Sequence, residues 1–381
     1  MRKTIHVVSA CAIAMLVASP ARAQLGGLMK GAQVAKKVAD LNISEEQEHE
    51  IGATVSQNIR QRYGVVQDAA VHRYVTLVGA ALAVSSSRPN IDWQFIVLDT
   101  DGVNAFAAPG GFVHITRGAL GLLKSEAELA GVLGHEIIHI TEKHTINAIK
   151  KSKAKDLGTD LAPGGGLTKA ALSKLADAAT EAVLMGFGRG EELESDTMGL
   201  ALANTVGYNP RGLGGFLTTL KERNSGATEK QGLFASHPEM DERLKKLDKT
   251  IADQKMAAVA TLEARYKKFI TYKTPPQASI ATVAAGSAGL AGGTSSKGDT
   301  AAAKTDAKTE EEPKKKGRFG GLAGKLTGSG DEKKSAQVTG SGAGRGVNSE
   351  KDAKGGSNPA LVAVKITMAD ITAFKKEGKL N

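Results

Sequence analysis

The sequence predicts an α+β protein: a mainly helical domain with a small β-sheet beside one central helix, followed by a disordered tail. Three observations predict it. Apolar residues recur at helical spacing, behind capping signals, through most of residues 45–251. Within that region, period-two alternation is confined to the stretch between Asn90 and Thr116. From about Pro276 the composition shifts to Gly, Ala, Ser, Thr and Lys, and Phe319 is the only aromatic residue between 277 and 357.

The chain opens with MRKTIHVVSACAIAMLVASPARAQ. Arg2 and Lys3 precede an apolar run from Val7 to Ala18, and Ala21-Arg22-Ala23 offers the small residues of a cleavage site. This predicts an export signal over residues 1–23 and a mature chain from Gln24. The apolar run is too short for a membrane span. A lipoprotein signal ending on Cys11 would leave too few residues after Lys3 for an apolar core.

Ser44 followed by Gln47 is a capping-box pattern, so a helix is predicted from Glu45 to about Arg62. Asp68 caps a second helix, with Val71, Val75, Val78 and Leu82 on one face. NIDWQFIVLD alternates at Trp93, Phe95 and Val97 as a strand does. In NAFAAPGGFVHITRGAL, Pro109-Gly110-Gly111 is a turn signal and Phe112–Thr116 a returning strand. Ser125 and Glu128 form a second capping box before a helix with Leu129, Val132, Leu133, Ile137 and Ile140 on its apolar face, predicted to run to about Ile149. Residues 168–185 are helical by pattern, and Lys174, Asp177 and Glu181 argue against their crossing a membrane. GFGRGEELESDTMGLALA starts another helix, and SHPEMDERLKKLDKTI a further one with Pro238 suited to its first turn. Residues 276–357 hold too little apolar surface to offset ordering entropy and read as a disordered linker. At 358–381 the alternation of Val362, Val364 and Ile366, then Thr367 and Asp370, predicts a short strand–helix element on a long tether.

Cys11 is the only cysteine and falls within the predicted signal, so the mature chain relies on no disulfide, and any metal it binds takes His, Asp or Glu as ligands. The net charge of +10 is unevenly placed: residues 1–23 hold three basic and no acidic residues, and residues 277–381 hold 17 basic and 11 acidic. The segment between is near neutral, and the tail mixes both signs without interleaved aromatics, which argues against nucleic acid as a partner.

GVLGHEIIHITEKH, from Gly131 to His144, holds three of the chain's eight histidines. Residues four apart on a helix share a face, ~6 Å apart along the axis. His135 and His139 can therefore present two imidazoles to one ion, with Glu136 placed to act on a water held there; this is the H-E-x-x-H logic of zinc peptidases. The bland alternative is a pair of solvated or core histidines. The Leu/Val/Ile setting argues against solvation, and an unpartnered buried cluster is expensive in desolvation that a divalent cation offsets. His144 lies nine positions after His135, on the opposite side of a continuous helix, and reads as a residue holding the helix end. Catalytic zinc needs a third protein ligand. EELESD is the best source: Glu192 and Asp196 are four apart and Glu194 faces away, although a solvated acidic helix start has the same spacing.

NAFAAPGG, ELAGVLGHEIIHITEKH, EELESD and ASHPEMDER, in that order, resemble the gluzincin peptidase family, which includes the type I CaaX prenyl endopeptidase, the heat-shock protease HtpX and exported BepA-type proteases. The similarity covers about residues 40–255. The resemblance implies a zincin-like metalloprotease domain with one Zn2+, ligated by His135, His139 and Glu192, with Glu136 as general base and Asp196 orienting a ligand histidine. His237, Pro238 and Arg243 match the family's His-Pro pair and the arginine six residues after the histidine. The membrane spans of the prenyl endopeptidase and HtpX are absent from the pattern, as is a tandem helical repeat after the catalytic part.

The expected reaction is hydrolysis of a peptide bond in an extended or misfolded polypeptide, with Arg243 or His237 stabilising the oxyanion, or with His237 occupying the open zinc position as a removable fourth ligand. The paired strands of NAFAAPGGFVHIT offer an edge for main-chain binding of substrate, or form an ordinary structural hairpin. The expected location is the bacterial periplasm, with a peripheral membrane or envelope-assembly partner. The rival function is a chaperone-like or scaffolding envelope protein whose zinc is structural or latched.

Overall fold

Ser44 begins the first helix as its sequence directs: its Oγ accepts from Gln47 N at 3.3 Å and its own N–H donates to Gln47 Oε1 at 3.1 Å, opening α1 (Glu45–Tyr63). In this computed structural model, residues 43–153, 167–223, 237, 240–274 and 361–381 are described, with the short strands 283–284 and 335–336. The predicted export signal, Cys11, Pro238 and most of the predicted disordered linker lie outside the described residues. After α1 come α2 (Ala69–Ala83), β1 (Gln94–Leu98), β2 (Ala105–Ala108), a single turn at Pro109–Gly111, β3 (Phe112–Thr116), α3 (Arg117–Leu122) and α4 (Glu126–Thr141). They are followed by α5 (His144–Lys153), α6 (Lys169–Met185), α7 (Arg189–Val206), α8 (Gly212–Arg223), α9 (Met240–Asp253) and α10 (Glu263–Phe269). β4 (Val283–Ala284) and β5 (Ser335–Ala336) form a two-residue antiparallel pair, and α11 (Met368–Glu377) ends the series. The architecture is mainly helical α+β, as predicted.

The sheet runs in the order β1-β3-β2. β2 and β3 are antiparallel, with Ala105 opposite Ile115 and Ala108 opposite Phe112, as the turn signal predicts. β1 pairs with β3 in parallel, from Gln94 opposite Phe112 to Leu98 opposite Thr116. Gly110 and Gly111 have φ of 71° and 106°, and a Cβ on Gly110 would lie 2.5 Å from His49 Cα, so the turn is closed by α1 as well as by its own glycines. Alternation along the strands divides two cores. Phe95, Val97, Val113 and Ile115 pack with α2, α4 and α8, whereas Ile96, Leu98, Phe106 and Phe112 pack with Ile51 and Val55 of α1 and Leu175 and Ala179 of α6. β2 is an edge of the sheet, but its four residues are all buried.

All sixteen residues of α4 are buried, which makes it the central element. Ser125 caps it by accepting from Glu128 N, but Glu128 turns its carboxylate to Lys124 N rather than completing the box. Glu126, in its first turn, accepts from Tyr74, Tyr208 and Arg265. At the other end Arg88 Nη1 donates to Ile140 O and Nη1 and Nη2 to Glu48. The predicted continuation to Ile149 does not occur. The helix stops at Thr141, Lys143 takes φ 57°, and α5 starts at His144. The apolar pattern persists across the break because Ile146 and Ile149 are buried in the α1–α6 core.

The alternating stretch 362–366 forms no strand and has no ladder partner among the described residues; Thr367 and Asp370 do form the reciprocal cap that starts α11. α11 packs on α2 with Ile371 and Phe374 buried, Arg73 binds Asp370 at 2.7 Å, and Asn381 N donates to Val206 O. Among the described residues no helix is long and apolar enough to cross a membrane.

Candidate metal centre

The centre forms where α4 crosses α7. The crossing is close because both helices present glycine there: a Cβ on Gly199 would lie 2.7 Å from His135 N, and one on Gly134 would lie 3.0 Å from Gly199 O. The two ends of the approach are thus fixed, and Glu192 and Asp196, on the two turns of α7 before Gly199, meet His135 and His139. The spacing of Glu192 and Asp196 alone leaves this contact open; the glycines at 134 and 199 are the sequence feature that permits it.

His135, His139, Glu192 and His237 each offer one donor atom, and these atoms all lie within 4.8 Å of one another. His135 Nε2 is 3.0 Å from His139 Nε2 and 3.3 Å from His237 Nδ1. Glu192 oxygens lie 3.5 Å from both His135 Nε2 and His139 Nε2, and His237 Nδ1 is 2.8 and 2.9 Å from them. All four residues are buried. Imidazole nitrogens turned toward one another at such distances, with one carboxylate and no thiol, make a donor set that fits zinc. Glu136 adds a second sign: both of its carboxylate oxygens are buried and neither has a hydrogen-bond partner among the described residues. An unpartnered buried carboxylate is costly, and a cation with its water offsets that cost.

The remaining expected residues stand behind these donors. His135 Nδ1 lies 2.9 Å from Asp196 Oδ1. Arg243 donates from Nε and Nη2 to the two Asp196 oxygens, each at 2.7 Å, and from Nη1 to the His237 carbonyl at 3.2 Å. Nη1 also lies 3.2 Å from Glu192 Oε2. Arg243 is only 2% exposed, so it is a buried counter-charge and no helix-surface cation. Phe187, absent from the sequence reading, stacks on His139 with ring centroids 4.1 Å apart.

Electrostatics follow the same layout. Burial raises the Glu136 carboxyl, only partly opposed by His237 and His135. Burial also pushes on Glu192, but His237, His139 and His135 outweigh it and hold that carboxyl well below its ordinary value. Burial keeps His139 neutral by lowering it well below the usual imidazole range. For His237 burial is outweighed by Glu192 and Glu136, which raise it. The arrangement therefore holds one carboxyl, Glu192, below its ordinary value beside a second, Glu136, raised above it.

Residues 69–251 match the model of Peptidase family M48. The chain is 26% identical over 215 residues to the putative beta-barrel assembly-enhancing protease of Vibrio cholerae serotype O1, covering 54% of this chain and 44% of that one. It is 32% identical over 164 residues to Metalloprotease YcaL of Escherichia coli K12, covering 42% and 63%. Against the mitochondrial metalloendopeptidase OMA1 of Schizosaccharomyces pombe it is 29% identical over 184 residues, covering 47% and 53%. The chain thus spans less than half the length of the beta-barrel assembly-enhancing relative.

Proposed function

We propose that this chain, which carries a peptidase family M48 domain over residues 69–251, is a zinc-dependent metalloendopeptidase that cleaves extended or misfolded polypeptides in the bacterial envelope. The observation that carries the reading is the convergence of four buried donors beside the buried, unpartnered carboxylate of Glu136. His135, His139 and Glu192 hold the metal. Zinc bound there supplies Lewis acidity, polarising the scissile carbonyl and lowering the pKa of water.

The chain's own residues then act as follows. Glu136 takes a proton from the attacking water as the oxygen–carbon bond forms, and delivers it to the amide nitrogen as the carbon–nitrogen bond breaks. Its raised pKa suits both halves of that transfer. Asp196 Oδ1 faces His135 Nδ1 at 2.9 Å, which leaves Nε2 for the ion. Arg243 is assigned to positioning rather than to the oxyanion, since Nε, Nη1 and Nη2 are already engaged by Asp196, Glu192 and the His237 carbonyl. His237 acts as a removable fourth donor: with its Nδ1 among the ligand atoms the set is closed, and its withdrawal opens the position a catalytic site requires.

The envelope setting draws on the predicted export signal and on relatives named for beta-barrel assembly. In this reading residues 24–275 are the peptidase domain, 276–357 a linker and 358–381 a docking element. Metal analysis of purified protein, with casein cleavage by wild type and Glu136→Gln, tests the proposal. One zinc per chain in both is expected, with cleavage lowered about 10²–10⁴-fold in the variant. Zinc in both proteins with no casein cleavage by either would favour the scaffolding function instead. His237→Ala is expected to keep zinc and cleave faster than wild type; unchanged turnover would remove the latch.

A further inference from the structure

The break after Thr141 returns to the site a histidine that a continuous helix would have turned away. With Lys143 at φ 57° the helix is broken, and His144 opens α5 beside His139. His144 Nδ1 lies 2.9 Å from His139 Nδ1, and His144 Nε2 lies 3.1 Å from Glu194 Oε2. Ser195 Oγ is 3.5 Å from the same Nδ1. The His144 side chain is 5% exposed, whereas that of Glu194 is 50% exposed, so the row runs from the buried donors to solvent.

The carboxylate at the end of this row fixes its direction. A carboxylate oxygen accepts, so His144 Nε2 carries the hydrogen and donates to Glu194 Oε2. With its ring hydrogen on Nε2, His144 offers Nδ1 as an acceptor. His139 Nδ1 is therefore the donor between the two rings. With its hydrogen on Nδ1, His139 turns the lone pair of Nε2 toward His135 and Glu192. The other tautomer would place a hydrogen on Nε2, in the middle of the donor set, and remove one ligand from it.

We infer that His144, directed by Glu194, fixes the tautomer and ring orientation of His139 and thereby sets the zinc affinity of the site. His144 is a positioning residue, and the inference rests on the zinc reading above. α7 then supports both ligand histidines at Nδ1: Asp196 holds His135 directly, and Glu194, two residues away, holds His139 through His144.

Full-length His144→Phe keeps a ring but removes the acceptor. His144→Asn keeps an acceptor oxygen near the position of Nδ1, and Glu194→Gln removes the directing charge. Zinc affinity is measured by competition with a chromophoric chelator, site geometry by the visible spectrum of the cobalt-substituted protein, and folding by melting of the metal-free protein. His144→Phe is expected to bind zinc about 10–100-fold more weakly, with a shifted cobalt spectrum and an unchanged metal-free melting temperature. His144→Asn recovers most of the affinity, and Glu194→Gln loses less than the phenylalanine variant. The inference is overturned if His144→Phe holds zinc as tightly as wild type. It is equally overturned if the Phe and Asn variants lose affinity alike, in step with the metal-free melting temperature, since His144 would then serve packing alone. A wild-type protein without stoichiometric zinc would instead overturn the metal reading itself.

Discussion

Arg243 and Asp196 show what a single buried pair does for the site. Burial alone would raise the Asp196 carboxyl; Arg243 outweighs it and holds the group down to about 2, from an ordinary 3.8. A depressed carboxyl adds stability above its unfolded pKa, and that stability disappears as pH falls from about 4 to about 2. Denaturant unfolding of the chelator-treated protein is expected to lose on the order of 2 kcal/mol across that window through this group, and Asp196→Asn is expected to remove that part of the acid dependence. Arg243→Met leaves a buried carboxylate without its counter-charge and is expected to cost about 3–5 kcal/mol; Arg243→Lys, which keeps the charge but not the two-pronged contact, should fall between. Urea titration measures both. At this scale His135, Glu136 and His139 were legible because a four-residue spacing on a helix is a geometric statement by itself. Glu192 and Asp196 were legible only as a spacing plus a resemblance. His144 was not, because its place depends on a lysine in the left-handed region, a conformation that no residue type near it announces.

The helix crossing is the element that converts these residues into a site. Gly199→Ala drives a methyl group against the His135 backbone, which has no flexible end to yield. It is expected to cost about 1–3 kcal/mol and to weaken zinc binding by displacing Glu192. Gly190→Ala, on the same helix, meets nothing within 4 Å and serves as the neutral control. Thermal melting with and without zinc separates the two effects. Capping residues at 44, 68, 125, 168 and 367 each start a helix in the structure, because a cap is a local contract between side chain and neighbouring amides. The parallel pairing of β1 with β3 was not legible, since it is settled by how two helical layers close on the sheet rather than by either strand.

Across the whole molecule, α11, at the far end of the sequence, packs back on α2. Ile371 and Phe374 are buried against α2, and the Arg265 guanidinium sits 4.0 Å from the Phe374 ring while binding Glu126. A chain ended at residue 360 is expected to lose about 3–6 kcal/mol from those two side chains, less the ordering entropy released, and to melt earlier while retaining zinc. Loss of zinc with unchanged melting would contradict this placement. The cap of α11 was legible in Thr367 and Asp370; its docking was not, because the composition of residues 276–357 carries no information about where the segment after them packs. The joining of both ends of α4 to their surroundings, by Glu126 to Tyr74, Tyr208 and Arg265 and by Ile140 to Arg88, has a kinetic consequence. In deuterated water the amide hydrogens of this helix have no fraying end through which to escape, so they should be the last in the protein to exchange and report its global opening alone.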